Sequence, residues 1–221
     1  GAFEAIRLVK EQWPGVPVAL GGIYATLCTD HARARSEADA VFAGPGEKPA
    51  LEWLDRVLGR PPHTAPPPGD IWPAHDLRRR QGYVALLTAR GCPFDCPYCA
   101  VHQLCGQGWH SRDPAQIVAE IAWCVEALGA RDIAFYDDAL LFAADRHLHP
   151  ILDAILARGL QARFHPPNGL HARFIDRQLA AKMRRAGFAT IRLGLESADP
   201  ARQAQDGGKV DREAFSMAVQ A

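Results

Sequence analysis

Apolar positions along this chain alternate between short strand-like runs and stripes at helical spacing. Phe3, Ile6, Leu8 and Val9 form a first helical stripe, and residues 16–20 read as a buried strand. A Gly21-Gly22 turn, a helix over 25–35, a strand over 40–43 and a helix over 49–58 follow. Beyond residue 82 the units lengthen. Residues 83–89 are a strand. Asp113 caps a helix that opens with Pro114 and carries Ile117, Ile121, Cys124 and Leu128 on one face, and Gly129 ends it. A strand at 133–136 leads to a helix with Leu148, Ile151, Leu152, Ile155 and Leu156, closed by Gly159. Residues 162–165 are a third strand, Asp176 caps a third helix that ends at Gly187, and 190–195 reads as a fourth strand. Asp211, with Val210 and Phe215 as a hydrophobic staple, starts a last helix. Regular strand-helix alternation predicts α/β architecture with parallel sheets.

Prolines divide the pattern. Pro61, Pro62, Pro66, Pro67, Pro68 and Pro73, with Gly69 among them, are too dense for regular structure and predict a stiff linker. The expected organisation is therefore an α/β domain over 1–60, a linker over 61–82 and a second α/β domain over 83–221. That second block holds four β/α units, and since a full eight-unit barrel takes about 250 residues, it can be only part of one. The chain opens at Gly1 inside a helix and ends inside another, so it reads as a fragment of a longer protein.

At 221 residues, 48% apolar and 23% charged, the chain can bury a core. Twenty-five basic against twenty-five acidic residues give no field that favours nucleic acid, and Arg78-Arg79-Arg80 is too short a run to change that. No apolar stretch approaches the roughly 20 residues that span a bilayer.

The chemistry concentrates in Cys92, Cys96 and Cys99, a CxxxCxxC loop directly after the first strand of the second block. Three thiolates cannot close a four-coordinate site. A structural zinc takes its fourth ligand from protein, and His102, Cys105 or His110 could supply it. An iron-sulfur cluster held by three cysteines instead leaves one iron open for a small molecule. Zinc ribbons favour two separated CxxC pairs, whereas only Cys96 and Cys99 make one here. With no signal peptide visible, three thiols so close together read as a metal site rather than disulfides. Cys124, on a helix stripe, reads as a core residue.

With Tyr98 immediately before the third cysteine, this loop resembles the signature of the radical S-adenosylmethionine (SAM) family. The resemblance implies a partial, TIM-like (β/α) barrel holding a [4Fe-4S] cluster on Cys92, Cys96 and Cys99, with SAM bound at the open iron. It implies that Tyr98 packs by the adenine and that Asp137, Asp138, Glu196 and Ser197, at the ends of the second and fourth strands, orient SAM or substrate. Phe135-Tyr136-Asp137-Asp138-Ala139 departs from the Gly-Gly-Glu-Pro-like turn usual at the second strand and is similar to the Asp-Asp turn of the cobalamin-dependent branch. His165, Asn168 and His171, near the end of the third strand, are further pocket candidates.

The first block resembles the second half of a Rossmann-like (flavodoxin-like) cobalamin-binding domain, in which Gly21, Gly22, Gly44 and Gly46 would let backbone approach the nucleotide tail. Together these resemblances imply an enzyme that cleaves SAM reductively to a 5′-deoxyadenosyl radical and uses cobalamin to methylate carbon. A small-molecule substrate, a reductant such as flavodoxin or ferredoxin, and a cytoplasmic setting go with it. A methylthiotransferase-like enzyme is the second reading, set back because only Cys28 precedes the linker. A zinc-stabilised α/β binding module is the third.

Overall fold

The computed structural model describes residues 1–64, 71–78, 82–206, 209 and 211–221. Pro66, Pro67, Pro68 and Gly69 of the expected linker, Arg79 and Arg80, and Val210 of the expected staple lie outside the described residues. The chain divides into two compact units: Gly1–Pro68 with Ala100–Gln107, and Gly69–Cys99 with Gly108–Ala221.

The first unit is α1 (Ala2–Gln12), β1 (Ala19–Leu20), α2 (Ile23–Leu27), α3 (Thr29–Arg35), β2 (Ala40–Val41) and α4 (Glu47–Val57). β1 and β2 pair in parallel, Ala19 opposite Ala40. The strand expected over 16–20 is cut to its last two residues, and Val16 is half exposed. Its N-terminal part lacks a partner strand among the described residues, and Pro17 removes a ladder donor. The helix expected over 25–35 breaks at Cys28 into α2 and α3. α5 (Val101–Cys105), which the apolar pattern does not announce, packs against α2.

The second unit is built on β3 (Val84–Leu86), β6 (Asp132–Phe135) and β7 (Arg163–His165), all parallel and in the order β3-β6-β7. Spatial order that repeats chain order is barrel winding, since each right-handed crossover adds the next strand on the same side. The crossovers are α6 (Pro114–Ala122), extended by a π-helical turn Trp123–Ala127, and α7 (Leu148–Ala157). α8 (Arg177–Ala186) follows β7. Asp113 caps α6 by accepting from the Ala115 N–H, and Asp176 caps α8 by accepting from that of Leu179. Val84, Leu86, Ile133, Phe135 and Phe164 face the helices and form one core with Ile117, Ile121, Cys124, Ile151, Leu152, Leu179 and Met183. The rings of Phe135, Phe164 and Phe188 stack on one another.

Three expectations change here. Residues 190–195 do not form a strand: Phe188 and Leu193 make single bridges to Phe164 and Leu170. The backbone pairs with β7 at 187–189 and then with the loop after it, while Thr190, Ile191 and Arg192 are exposed. The strand expected over 83–89 is two strands, because Thr88 turns the chain after β3 into β4 (Ala89–Cys92), which pairs antiparallel with β5 (Gly108–Ser111). Cys92 therefore ends a strand rather than lying in a loop. Finally, residues 71–78 do not act as bare linker: Trp72 stacks 5.6 Å from Trp123, and a 3-10 turn His75–Leu77 buries His75. Near the C-terminus, α9 (Pro200–Gln205), capped by Asp199, was not expected; α10 (Arg212–Gln220) is capped by Asp211 as expected.

Candidate functional site

The cysteine segment is set up by β4 and β5. Gly91 and Gly108 both adopt left-handed backbone, and Gly108 lies opposite Cys92 at the end of the ladder. The segment then leaves the sheet through Pro93 and closes a turn in which the Cys99 N–H donates to the Cys96 carbonyl at 2.9 Å. Cys92 is buried, Cys96 half-buried and Cys99 exposed.

Burial pushes the Cys92 thiol above its ordinary value, and the Cys96, Asp138 and Cys99 charges push it further, opposed by a hydrogen bond from the Phe94 backbone. Groups that ionise to anions are thus gathered around one point, and a bound cationic iron centre would reverse each of those electrostatic effects. A cluster held by three cysteines takes one thiolate per iron, and three thiols on one short segment fit it by their chemistry.

Phe94, between the first two cysteines, anchors the loop tip. Its ring lies 4.8 Å from that of His171 and packs edge-on to Phe142, with Phe174 stacked alongside. The Arg173 guanidinium sits 4.4 Å above the same ring. His171 is buried, and burial, then the Lys209 and Arg173 charges, pushes its pKa down to about 4. Phe94 was not singled out by sequence, because a lone aromatic among cysteines carries no periodic signal.

The expected SAM residues separate into two kinds. Tyr98 is half exposed, and burial, then the charges of Cys96 and Glu196, raises its phenol well above the ordinary value. That places Tyr98 beside Cys96 and Glu196. Glu196 adopts left-handed backbone and pairs with Lys209 at 2.9 Å. The Ser197 hydroxyl accepts from the Asp199 N–H at 3.1 Å, and its carbonyl accepts from the Gln203 side chain. Asp138, half-buried and raised by desolvation, lies close enough to Cys92 to perturb it.

Asp137 behaves differently. It is buried, and its carboxylate accepts from the N–H groups of Thr88 and Ala89 and from the Thr88 hydroxyl. Inside the fold this carboxylate ties the end of β6 to the start of β4. Desolvation lifts its pKa to about 6 against these bonds. The turn it grips is held from the other side by Arg112, which donates to the Leu87 carbonyl and forms a buried ion pair with Glu120 at 2.7 Å.

Two further candidates are accounted for locally. His165 sits between Asp132 and Thr190 on the sheet face opposite the helices, and Asn168 donates to the Tyr136 carbonyl.

In the first unit, both glycine loops lie at the C-terminal ends of the parallel strands, where open α/β sheets take ligands. Gly22 and Gly44 adopt positive φ, and a Cβ built on Gly22, Gly44 or Gly46 meets nothing within 4 Å. At Gly21 it meets only Phe42, at 3.9 Å. The loops are tied together by Thr26, whose hydroxyl donates to the Gly22 carbonyl and accepts from the Gly44 N–H, both at 2.9 Å. An open glycine surface of this kind fits close approach of a bulky ligand tail. Thr26 was missed because a threonine in a helix stripe gives no sign of which carbonyl it reaches.

Residues 86–220 match the family model described as the radical SAM superfamily. An uncharacterised methyltransferase of Pyrococcus horikoshii is 24% identical over 90% of this chain and 49% of its own length. The hopanoid C-2 methylase of Rhodopseudomonas palustris is 25% identical over 84% of this chain and 37% of its own. The chain thus spans about half or less of these relatives. Among solved structures, the radical SAM methyltransferase TsrM from Kitasatospora setae, with tryptophan and a SAM analogue bound, superposes with a TM-score of 0.75 at 20% identity, over 99% of this chain and 49% of that one. The cobalamin-dependent radical SAM enzyme OxsB, with aqua-cobalamin bound, gives 0.71 at 15% identity, over 98% and 37%.

Proposed function

Because the chain belongs to the radical SAM superfamily, whose members carry a [4Fe-4S] cluster and SAM, we propose that it is part of a cobalamin-dependent radical SAM enzyme that methylates carbon in a small-molecule substrate. When bound, the cluster and SAM supply a 5′-deoxyadenosyl radical, and cobalamin supplies methyl transfer. The observation that carries this reading is the placement of Cys92, Cys96 and Cys99 on a sheet-anchored segment within one shared electrostatic neighbourhood.

Each residue then has a defined task. Cys92, Cys96 and Cys99 hold three irons. Tyr98, beside Cys96, offers an aromatic face to the adenine. Asp138 and Glu196 present carboxylates for the SAM amino group and ribose, and Ser197 offers a hydroxyl alongside. Gly21, Gly22, Gly44 and Gly46 leave backbone accessible for the cobalamin tail. The methyltransferase names of the relatives and the cobalamin in the OxsB structure support the reaction class. Family membership removes the ground for a purely structural zinc module, and the same names favour methyl transfer over methylthiolation.

Iron and sulfide content after anaerobic reconstitution of the full-length protein, with electron paramagnetic resonance spectra before and after SAM, tests this. The expected result is about four irons per chain, lost in Cys96→Ala, with a spectrum that SAM perturbs. Zinc without iron, or a cluster indifferent to SAM, would refute the reading. Cobalamin retention on gel filtration tests the first unit separately.

A further inference from the structure

Thr88 stands where the barrel strand β3 gives way to the cysteine-bearing β4, and it is fully buried. Its N–H lies 3.0 and 3.1 Å from the two Asp137 carboxylate oxygens, and its carbonyl accepts from the Arg112 N–H at 2.9 Å. Its hydroxyl lies 2.6 Å from Asp137 Oδ1 and 2.7 Å from His147 Nε2. Asp137 Oδ1 also takes the Ala89 N–H, the first of β4, at 2.7 Å.

The proton count orders this chain. A hydroxyl has one proton to give, and an ionised carboxylate can only accept. Thr88 therefore donates to Asp137, and its lone pair accepts from His147 Nε2–H. In a neutral imidazole this leaves Nδ1 bare. His147 Nδ1 is buried and has no hydrogen-bond partner among the described residues, with the Trp109 ring packed edge-on at 5.1 Å. Burial, helped by Arg146, pushes the His147 pKa down to about 4, in keeping with that tautomer.

We propose that Asp137, Thr88 and His147 form a positioning chain that fixes the direction of β4, and so of Cys92 at its end, before iron is bound. Apolar side chains would fill the same space at lower desolvation cost, so what the polar chain adds is direction: Asp137 takes the N–H groups of Thr88 and Ala89, and His147, from a third segment, holds the Thr88 hydroxyl. From there the β4–β5 ladder runs without interruption to Cys92 opposite Gly108. The inference rests on the cluster reading above, and the three side chains act through the strand.

Thr88→Val keeps the volume and removes the hydroxyl, while Thr88→Ser restores it. In the apo full-length chain, hydrogen exchange at the Ala89 amide is expected to be about tenfold faster in Thr88→Val and normal in Thr88→Ser. In the reconstituted protein, iron release to a chelator should accelerate by about tenfold in Thr88→Val, as is common when groups that orient a ligand are removed, with an altered spectrum of the reduced cluster and recovery in Thr88→Ser. Wild-type exchange, iron release and spectrum in Thr88→Val would overturn the proposal. Should Thr88→Val fail to fold, His147→Phe, which fills the site without a donor, is read in the same two ways, and unchanged rates overturn the proposal equally. A wild-type protein that binds no cluster overturns the functional reading instead, while the apo exchange comparison still decides this one.

Discussion

The two parallel sheets of this chain are made from similar sequence material but differ in how much they bury. β3, β6 and β7 lie over a continuous core in which Val84, Ile133, Phe135 and Phe164 are inaccessible to solvent. β1 and β2 are two residues each, and the buried apolar positions of their unit are Ile6, Ala25, Ala32 and Val101 among the described residues. Two short strands are marginal alone, and three or more over a hydrophobic face are needed for independent stability. The difference teaches that the cysteine strand is launched from the most deeply packed part of the molecule, whereas the glycine loops rest on one hydroxyl, Thr26, and on little packing.

That contrast can be broken most visibly in the cores. Phe164→Ala should cost about 3–5 kcal/mol, as for other buried aromatics, seen as a lower denaturant midpoint for the second unit. Leu20→Ala in β1 should cost about 1 kcal/mol, because its side chain is only partly buried. Equal losses would mean that the first unit packs as tightly as the second.

Acid sharpens the same comparison, because the buried histidines His147 and His171 lie in the second unit. Unfolded, they take up protons near the ordinary 6.5; folded, they refuse them until about 4. Their contribution is therefore complete above 6.5 and is lost as pH falls toward 4. Asp137 works in the opposite sense: its folded carboxyl keeps a proton up to about 6 against an ordinary 3.8, so its contribution is largest below 3.8 and is lost as pH rises through 6. Glu120 and Asp138, whose carboxyls burial also raises, work in the same sense as Asp137, so the histidine contribution is read by difference. His171→Gln should remove about 2 kcal/mol of the acid sensitivity of the second unit between pH 7 and 4.5 in thermal melts. A variant that keeps the wild-type pH slope would contradict the buried neutral histidine.

The remaining effect lies in the backbone of the first unit. Gly22 combines φ 89° with ψ −163°, a region open essentially to glycine. Gly22→Ala should cost about 1–2 kcal/mol through backbone strain, without any clash, since a Cβ there meets nothing. Circular dichroism melts of the variant check this, and a neutral result would show that the loop adopts another conformation in solution.

Much was legible before the structure. Asp113, Asp176 and Asp211 each cap the helix expected of them, because a cap is a local hydrogen bond between residues a few positions apart. The alternation of strands and helices, the glycines that end α6 to α8, and the three cysteines were legible for the same reason. What was misread is non-local. Thr88 looked like the middle of one strand, since its neighbours are apolar on both sides; only Asp137, far along the chain, makes it a corner. Residues 190–195 have strand composition, but the backbone positions that meet β7 lie just before them. The contacts of the Asp137 carboxylate with Thr88 and Ala89 were hidden for the same reason, since sequence gives a carboxylate no address.

Sequence by itself determined the element types, their caps, the cluster-binding chemistry of Cys92, Cys96 and Cys99 as an expectation, and a barrel-like order of units. These follow from the spacing of neighbours along one backbone, and from sulfur's affinity for iron. Tertiary structure alone decided which acids are engaged inside the fold, that Phe94 is seated under Arg173 and against His171, and that one threonine joins the barrel to the cysteine strand. Those outcomes depend on which groups are brought together and dried by burial, and burial is a property of the packed chain, not of any stretch of it.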